Sequence, residues 1–188
     1  MINDTCFAPL LCIPKIPFGK KWVEEDGVVY LPVFSNGKDS RQWLWLYRRK
    51  LTPYVKDILQ SPMFVPTDGV TYTLAILRGT FFPDDDMMTM MNIRSEGASR
   101  GWSDPPIETA CLVRNLLCND ELRQLGLRNV NVMHLPVLNQ YGEFSILNIS
   151  KDNWLNTRGA GPSVLCDGYT AFAFLVESRN RFDILTKR

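Results

Sequence analysis

Three adjacent carboxylates, Asp84-Asp85-Asp86, follow a strand-like run and are the residues best suited by type to hold Mg²⁺ or Mn²⁺ for phosphoryl or nuclease chemistry. Neighbours on an extended chain point to opposite sides, so the triplet would need help from elsewhere, such as Glu96 or Asp68. The plainer reading is a solvated turn that ends a strand. His134 is the single histidine of the chain, and strand periodicity sets it on the face of Val130 and Val132, which favours a packed imidazole. A nucleophilic pair of His134 with Cys111 or Cys166 is the catalytic alternative. Cys166-Asp167-Gly168 has the turn character a reactive thiol prefers, and Cys111 the buried surroundings that leave one inert.

No phosphate-binding G-x-x-x-x-G-K and no dinucleotide-binding G-x-G-x-x-G occurs. Arg158-Gly159-Ala160-Gly161-Pro162 is glycine-rich, but no helix pattern follows to present its N-terminus to a phosphate. Trp43, Trp45 and Tyr47, followed by Arg48, Arg49 and Lys50, are aromatic and basic in a way that suits stacking on bases. Their alternation with Leu44 and Leu46 fits a buried strand that leaves the core through a basic turn.

The strongest combination for ligand capture is Arg94, Arg100 and Trp102, just upstream of a helix start, with Gly97 and Gly101 to let the backbone approach a ligand. Asp104, at the expected helix end, would oppose a second anion, and an internal pair of Arg94 or Arg100 with Glu96, Asp104 or Glu108 is the alternative. Arg158 adds a cation in a second polar stretch, 150–168. These four residues, Arg94, Arg100, Trp102 and Arg158, are the predicted ligand-binding set. No catalytic residue, metal ligand or cofactor is assigned.

The elements that must carry them read as follows. Val28 to Phe34 is a strand, and Asn36-Gly37 has the residues of a tight hairpin turn leading to a returning strand at Gln42 to Tyr47. Thr52-Pro53 opens a short helix to about Gln60. Val70 to Leu77 is a strand, and Phe82 to Pro106 a long connection. Asp104-Pro105 caps a helix from Ile107 to Cys118 that is apolar nearly all round and therefore buried. A shorter helix from Asp120 stops at Gly126. Asn129 to Leu138 and Glu143 to Ile149 form a hairpin about the turn Asn139 to Gly142, and Tyr169 to Val176 is the last strand.

Together these predict an α+β fold: a mainly antiparallel sheet of five to seven strands on one long buried helix plus one or two short ones. One domain, 1–188, is expected, with 1–20 a proline-bearing arm (Pro9, Pro14, Pro17) that wraps its own domain or docks on a second subunit to make a homodimer.

Lys and Arg number 21 against 20 Asp and Glu, a net charge of +1 that weighs against nucleic acid and against an anionic membrane surface as partners. Five cysteines without a CxxC or zinc spacing suggest reduced thiols in the cytoplasm. No stretch approaches the roughly 18 apolar residues of a span. The function expected from these residues is non-enzymatic binding or regulation, recognising a protein partner or a small anion through 92–104 and 150–168. The alternative is a metal-dependent phosphoester hydrolase built on 84–86.

Overall fold

The computed structural model describes residues 14, 16–48, 51–150 and 155–180. Most of the expected N-terminal arm lies outside them. Among the described residues eight strands form one sheet: β1 (Val23–Glu25), β2 (Val28–Asn36), β3 (Asp68–Arg78), β4 (Asn129–Val132), β5 (Val137–Leu138), β6 (Phe144–Ser150), β7 (Leu155–Gly159) and β8 (Thr170–Asn180). The order is β1-β2-β3-β8-β4-β6-β5, with β7 on the other side of β6. Every pairing is antiparallel except that of β4 with β8. The sheet is thus larger than the five to seven strands expected, because β1 and β7 are short polar strands with little hydrophobic signature.

Among the described residues five α-helices cover it: α1 (Ser40–Tyr47), α2 (Pro53–Leu59), α3 (Met90–Ser99), α4 (Glu108–Leu116) and α5 (Asn119–Gln124). The single long helix is not found. α4 runs nine residues, and it shares the covering of the sheet with four others. Asp104 does not cap it, since the helix begins after Pro105 and Pro106 from Ile107, which gives no side-chain cap.

Two further departures have local causes. The expected returning strand at 42–47 is helix α1, because Asp39 accepts from the Gln42 amide while the Gln42 side chain accepts from the Asp39 amide, a reciprocal cap. Much of the expected loop 92–104 is α3, started by Thr89 accepting from the Asn92 amide. Gly97 within it lies against the Phe174 ring, where a Cβ would come within 2.5 Å of Cε1. The turn into β2 uses Asp26 and Gly27, both at positive φ.

The sheet separates two cores. On one face Val29, Leu31, Leu74, Ile76, Val130 and Ile149 pack against Trp43 of α1, Val55 and Ile58 of α2, and Cys111 and Val113 of α4. On the other face Leu77, Ile146, Phe172 and Phe174 pack against Met90 and Ile93 of α3, Met88, Trp102 and Cys166. Alternation along each strand assigns its residues to one core or the other. No helix among the described residues is long and apolar enough to cross a membrane.

Candidate functional site

Arg94 projects from α3 and donates to Asp104 Oδ1 at 2.6 Å, to the Met133 carbonyl at 3.2 Å and to the His134 carbonyl at 2.8 Å. It ties the helix to the chain leaving β4. Arg100 donates to Glu96 Oε1 at 2.6 Å and lies 4.5 Å from the Phe81 ring centroid and 5.1 Å from that of Trp102. Trp102 is 6% exposed and packs on Phe174, its ring centroid 5.8 Å away, with its indole N–H buried and without an acceptor. All three are engaged in holding α3 and its exit to the sheet.

Residues 88–91, just ahead of the 92–104 segment, pair with the 150–168 segment. The Met90 amide donates to the Val164 carbonyl at 3.0 Å, the Met91 amide to Pro162 at 3.1 Å and the Cys166 amide to Met88 at 2.9 Å. Their arginines nevertheless do not converge, for Arg158 lines a cavity to which no residue of 92–104 contributes.

That cavity, about 210 Å³, opens on the sheet face that carries Ile146 and Phe172. Three neighbouring strands place Asn131 of β4 opposite Asn148 of β6, and Asn148 opposite Asn156 of β7. The result is a row of carboxamides across the sheet, flanked by Asn129 and Thr170, which are also partners in register, and by Arg158. Asn131 is fully buried, and Asn148 and Thr170 nearly so. Asn148 Nδ2 donates to Asn131 Oδ1 at 2.7 Å, and Asn131 Nδ2 faces Cys166 Sγ at 3.8 Å. Arg158 is exposed, and one of its N–H groups donates to the Leu165 carbonyl at 2.6 Å, which holds the guanidinium beside the cavity. Burial pushes the Cys166 thiol up, and the nearby Arg158 opposes that shift. The Thr170 hydroxyl donates to Asp167 Oδ1 at 2.8 Å, and the Tyr169 amide donates to the same oxygen. Carboxamides stand here where strand alternation would otherwise continue the apolar core, and buried polar groups carry a cost unless they are bonded.

A larger concavity, about 510 Å³, lies along α1 between Lys38, Arg41, Trp45 and Leu46. It is open, and exposed side chains of one helix face and its preceding turn line it, with no buried polar group converging on it. The carboxamide cavity is the better-built site despite its size.

The remaining sequence candidates resolve as follows. Asp84 and Asp86 are exposed, and the Asp84 carbonyl accepts from the Met87 amide. Among the described residues no group of three or more His, Cys, Asp or Glu side chains could hold a metal ion. His134 is fully buried, accepts from the Leu147 amide at Nε2 (2.9 Å) and meets the Leu135 carbonyl with Nδ1 (2.6 Å). Burial pushes its pKa down to about 4, aided by Arg94 and opposed by the Leu135 bond. With both nitrogens occupied it cannot serve as a base for a nucleophile. Cys111, Cys118 and Cys166 are free thiols, and Cys6 and Cys12 lie outside the described residues.

Although no G-x-S-x-G elbow is expected from the serines, Gly97-Ala98-Ser99-Arg100-Gly101 has that spacing. That motif needs a strand-to-helix turn. Ser99 instead ends α3, and its hydroxyl donates to the Glu96 carbonyl at 2.8 Å, so the spacing carries no nucleophile here.

The carboxamide row escaped sequence reading because it exists only through the register of three strands. Its one legible sign was the alternation of Asn129 and Asn131 about Val130. The chain matches no protein-family model, no curated protein and no solved structure.

Proposed function

We propose that this chain is a non-enzymatic binding protein that captures a small anionic ligand in the cavity between β4, β6 and β7. The observation that carries the reading is the in-register row Asn131–Asn148–Asn156 with Arg158 at its side. A few placed polar groups around a concave site are how small-molecule pockets fix orientation, and Arg158 is the single charged side chain among the described lining residues. Because Arg94 and Arg100 are spent on internal pairs, the reading rests on the 155–170 region and not on 92–104. The free thiols Cys111, Cys118 and Cys166 favour a reducing compartment for this activity.

Binding is preferred to catalysis because, among the described residues, no serine, threonine or cysteine is activated by the one histidine. The test is a thermal-shift and NMR titration with inorganic phosphate and phosphate-bearing metabolites. Binding to the folded state alone raises stability by mass action, about 2.7 kcal/mol at a hundredfold excess over Kd. The expected result is a shift in the native protein that Arg158→Ala abolishes. No response to any small anion would refute the reading.

A further inference from the structure

We infer that the ligand of this cavity carries hydroxyl groups beside its negative charge: a small hydroxylated anion, of the size of a three-carbon sugar phosphate or sugar acid. This rests on the anion-binding reading above and adds what the neutral part of the ligand must offer.

The argument is one of hydrogen-bond direction. Asn148 commits one N–H of its Nδ2 to Asn131 Oδ1, at 2.7 Å, and Asn131 in turn turns an N–H of its Nδ2 to Cys166 Sγ. The chain of amides therefore runs inward, away from the cavity. Asn148 keeps its Oδ1, an acceptor to which no described residue donates, together with the second N–H of its Nδ2. A carboxamide oxygen next to a nearly buried wall asks for a donor from whatever fills the space.

Asn156, opposite Asn148 and half-buried, presents both a donor and an acceptor. Arg158 offers only donors and a positive charge. A bare anion such as phosphate would satisfy Arg158 but give the Asn148 oxygen nothing at neutral pH beyond a protonated phosphate oxygen. A simple alkyl anion would leave that oxygen facing a methylene, which is the costly outcome. A ligand with a hydroxyl next to its anionic group satisfies both, because a hydroxyl donates to Asn148 and accepts from Asn156. Among the described residues the lining includes no aromatic ring that could stack on a nucleobase. A cavity of about 210 Å³ is smaller than the roughly 300–1,000 Å³ of pockets for drug-sized ligands, which sets the ligand at about ten non-hydrogen atoms.

The experiment compares matched probes by calorimetry on the full chain. Glycerol 3-phosphate is set against propyl phosphate and inorganic phosphate, and glycerate against propionate as the carboxylate arm. The expected result is that the hydroxylated member of at least one pair binds about tenfold or more tightly than its alkyl partner, as sites built to bond a hydroxyl discriminate. That gap should close in Asn148→Leu and narrow in Asn156→Ala. Asn156 is half-buried on an edge strand, so its variant keeps the test open if the Asn148 substitution perturbs folding.

Equal affinity for hydroxylated and alkyl probes overturns the hydroxyl inference alone and leaves anion capture standing. Binding of no probe overturns both. A gap that persists unchanged in both Asn variants also overturns the inference, since the discrimination would then come from elsewhere.

Discussion

Glu108 and Asn148 are polar residues buried on opposite faces of the same sheet, and they are treated differently by their neighbours. Glu108, 2% exposed in the first turn of α4, accepts from the Thr67 hydroxyl, from Tyr72 OH at 3.0 Å and, through its other oxygen, from the Thr67 amide at 3.0 Å. Its donors all come from the chain itself, from the start of β3 and the segment before it, so the group pins α4 to the sheet. Burial drives the Tyr72 phenol up to about 12, and the Glu108 charge adds to that. Asn148, 8% exposed, has one amide group bonded inward and the other turned to a cavity. A closed polar cluster is a rivet, and on the proposed reading a half-closed one is a receptor. The distinction lies in where the last lone pair goes, and neither burial nor residue type reveals it.

The comparison breaks first at Glu108. Glu108→Ala removes three bonds to a buried carboxylate, leaving the Thr67 amide without its acceptor and the Thr67 and Tyr72 hydroxyls with only each other at 2.8 Å, so unfolding free energy should fall by about 3–5 kcal/mol. Chemical denaturation measures this. A loss under about 1 kcal/mol would mean that water reaches the cluster, and the rivet would then be no different from the receptor.

His134 offers a test by pH. It is neutral in the folded chain with a pKa of about 4, while in the unfolded chain it titrates near 6.5. Its contribution is therefore fully present above pH 6.5 and is lost as the pH falls from there towards 4, because only the unfolded state gains a proton across that window. The loss amounts to about 3 kcal/mol at pH 4 and levels off below it. His134→Gln, which keeps an acceptor for the Leu147 amide, should flatten that part of the stability curve relative to the native protein. Equal slopes in the two proteins would show that the imidazole reaches solvent.

Gly97→Ala tests how closely α3 is fitted to its face of the sheet. In an exposed helix the change would add up to about 1 kcal/mol of stability. Here the new Cβ meets the Phe174 ring, and the overpacking should cost about 1–3 kcal/mol. A stabilised variant would show that α3 rides loosely on its face of the sheet.

Much of the framework was legible and much of the site was not, for reasons that can be traced. β2, β3 and β8 announce themselves in β-branched and aromatic runs, Thr52-Pro53 marks the start of α2, and the Asn139 turn shows in its residues, where Oδ1 accepts from the Tyr141 and Glu143 amides. α1 was masked by apolar residues on both sides, although Asp39 and Gln42, three apart, were the sign of a cap. α3 was masked by Gly97 and its serines, which lower helix propensity and are overridden by packing on Phe174. At Arg94 and Arg100 the residue types fit a ligand site and an internal pair equally well. Only coordinates put Asp104 and Glu96 beside them. Asn148 showed nothing by itself, because its meaning depends on Asn131 and Asn156, brought beside it from other strands.

The smallest effect carries the finest distinction, between two arginines of equal promise in the sequence. Arg94 is about one-quarter exposed and bonds a carboxylate and two carbonyls across three parts of the chain. Arg94→Ala should cost about 1–2 kcal/mol, since bonds from a charged donor to well-fixed acceptors contribute more than surface pairs do. Arg158 is exposed, and the bond it makes to the Leu165 carbonyl reaches only seven residues along the chain. Arg158→Ala should change stability by no more than about 0.5 kcal/mol, the range of ordinary surface substitutions. Denaturation of the two variants side by side, followed by titration with glycerol 3-phosphate, separates the roles. The Arg94 variant should melt early and still bind. The Arg158 variant should melt with the native protein and fail to bind. If instead Arg158→Ala is the more destabilised of the two and retains its ligand, then Arg158 is a clamp on the 160–166 turn, and the cavity beside it is a gap in the packing.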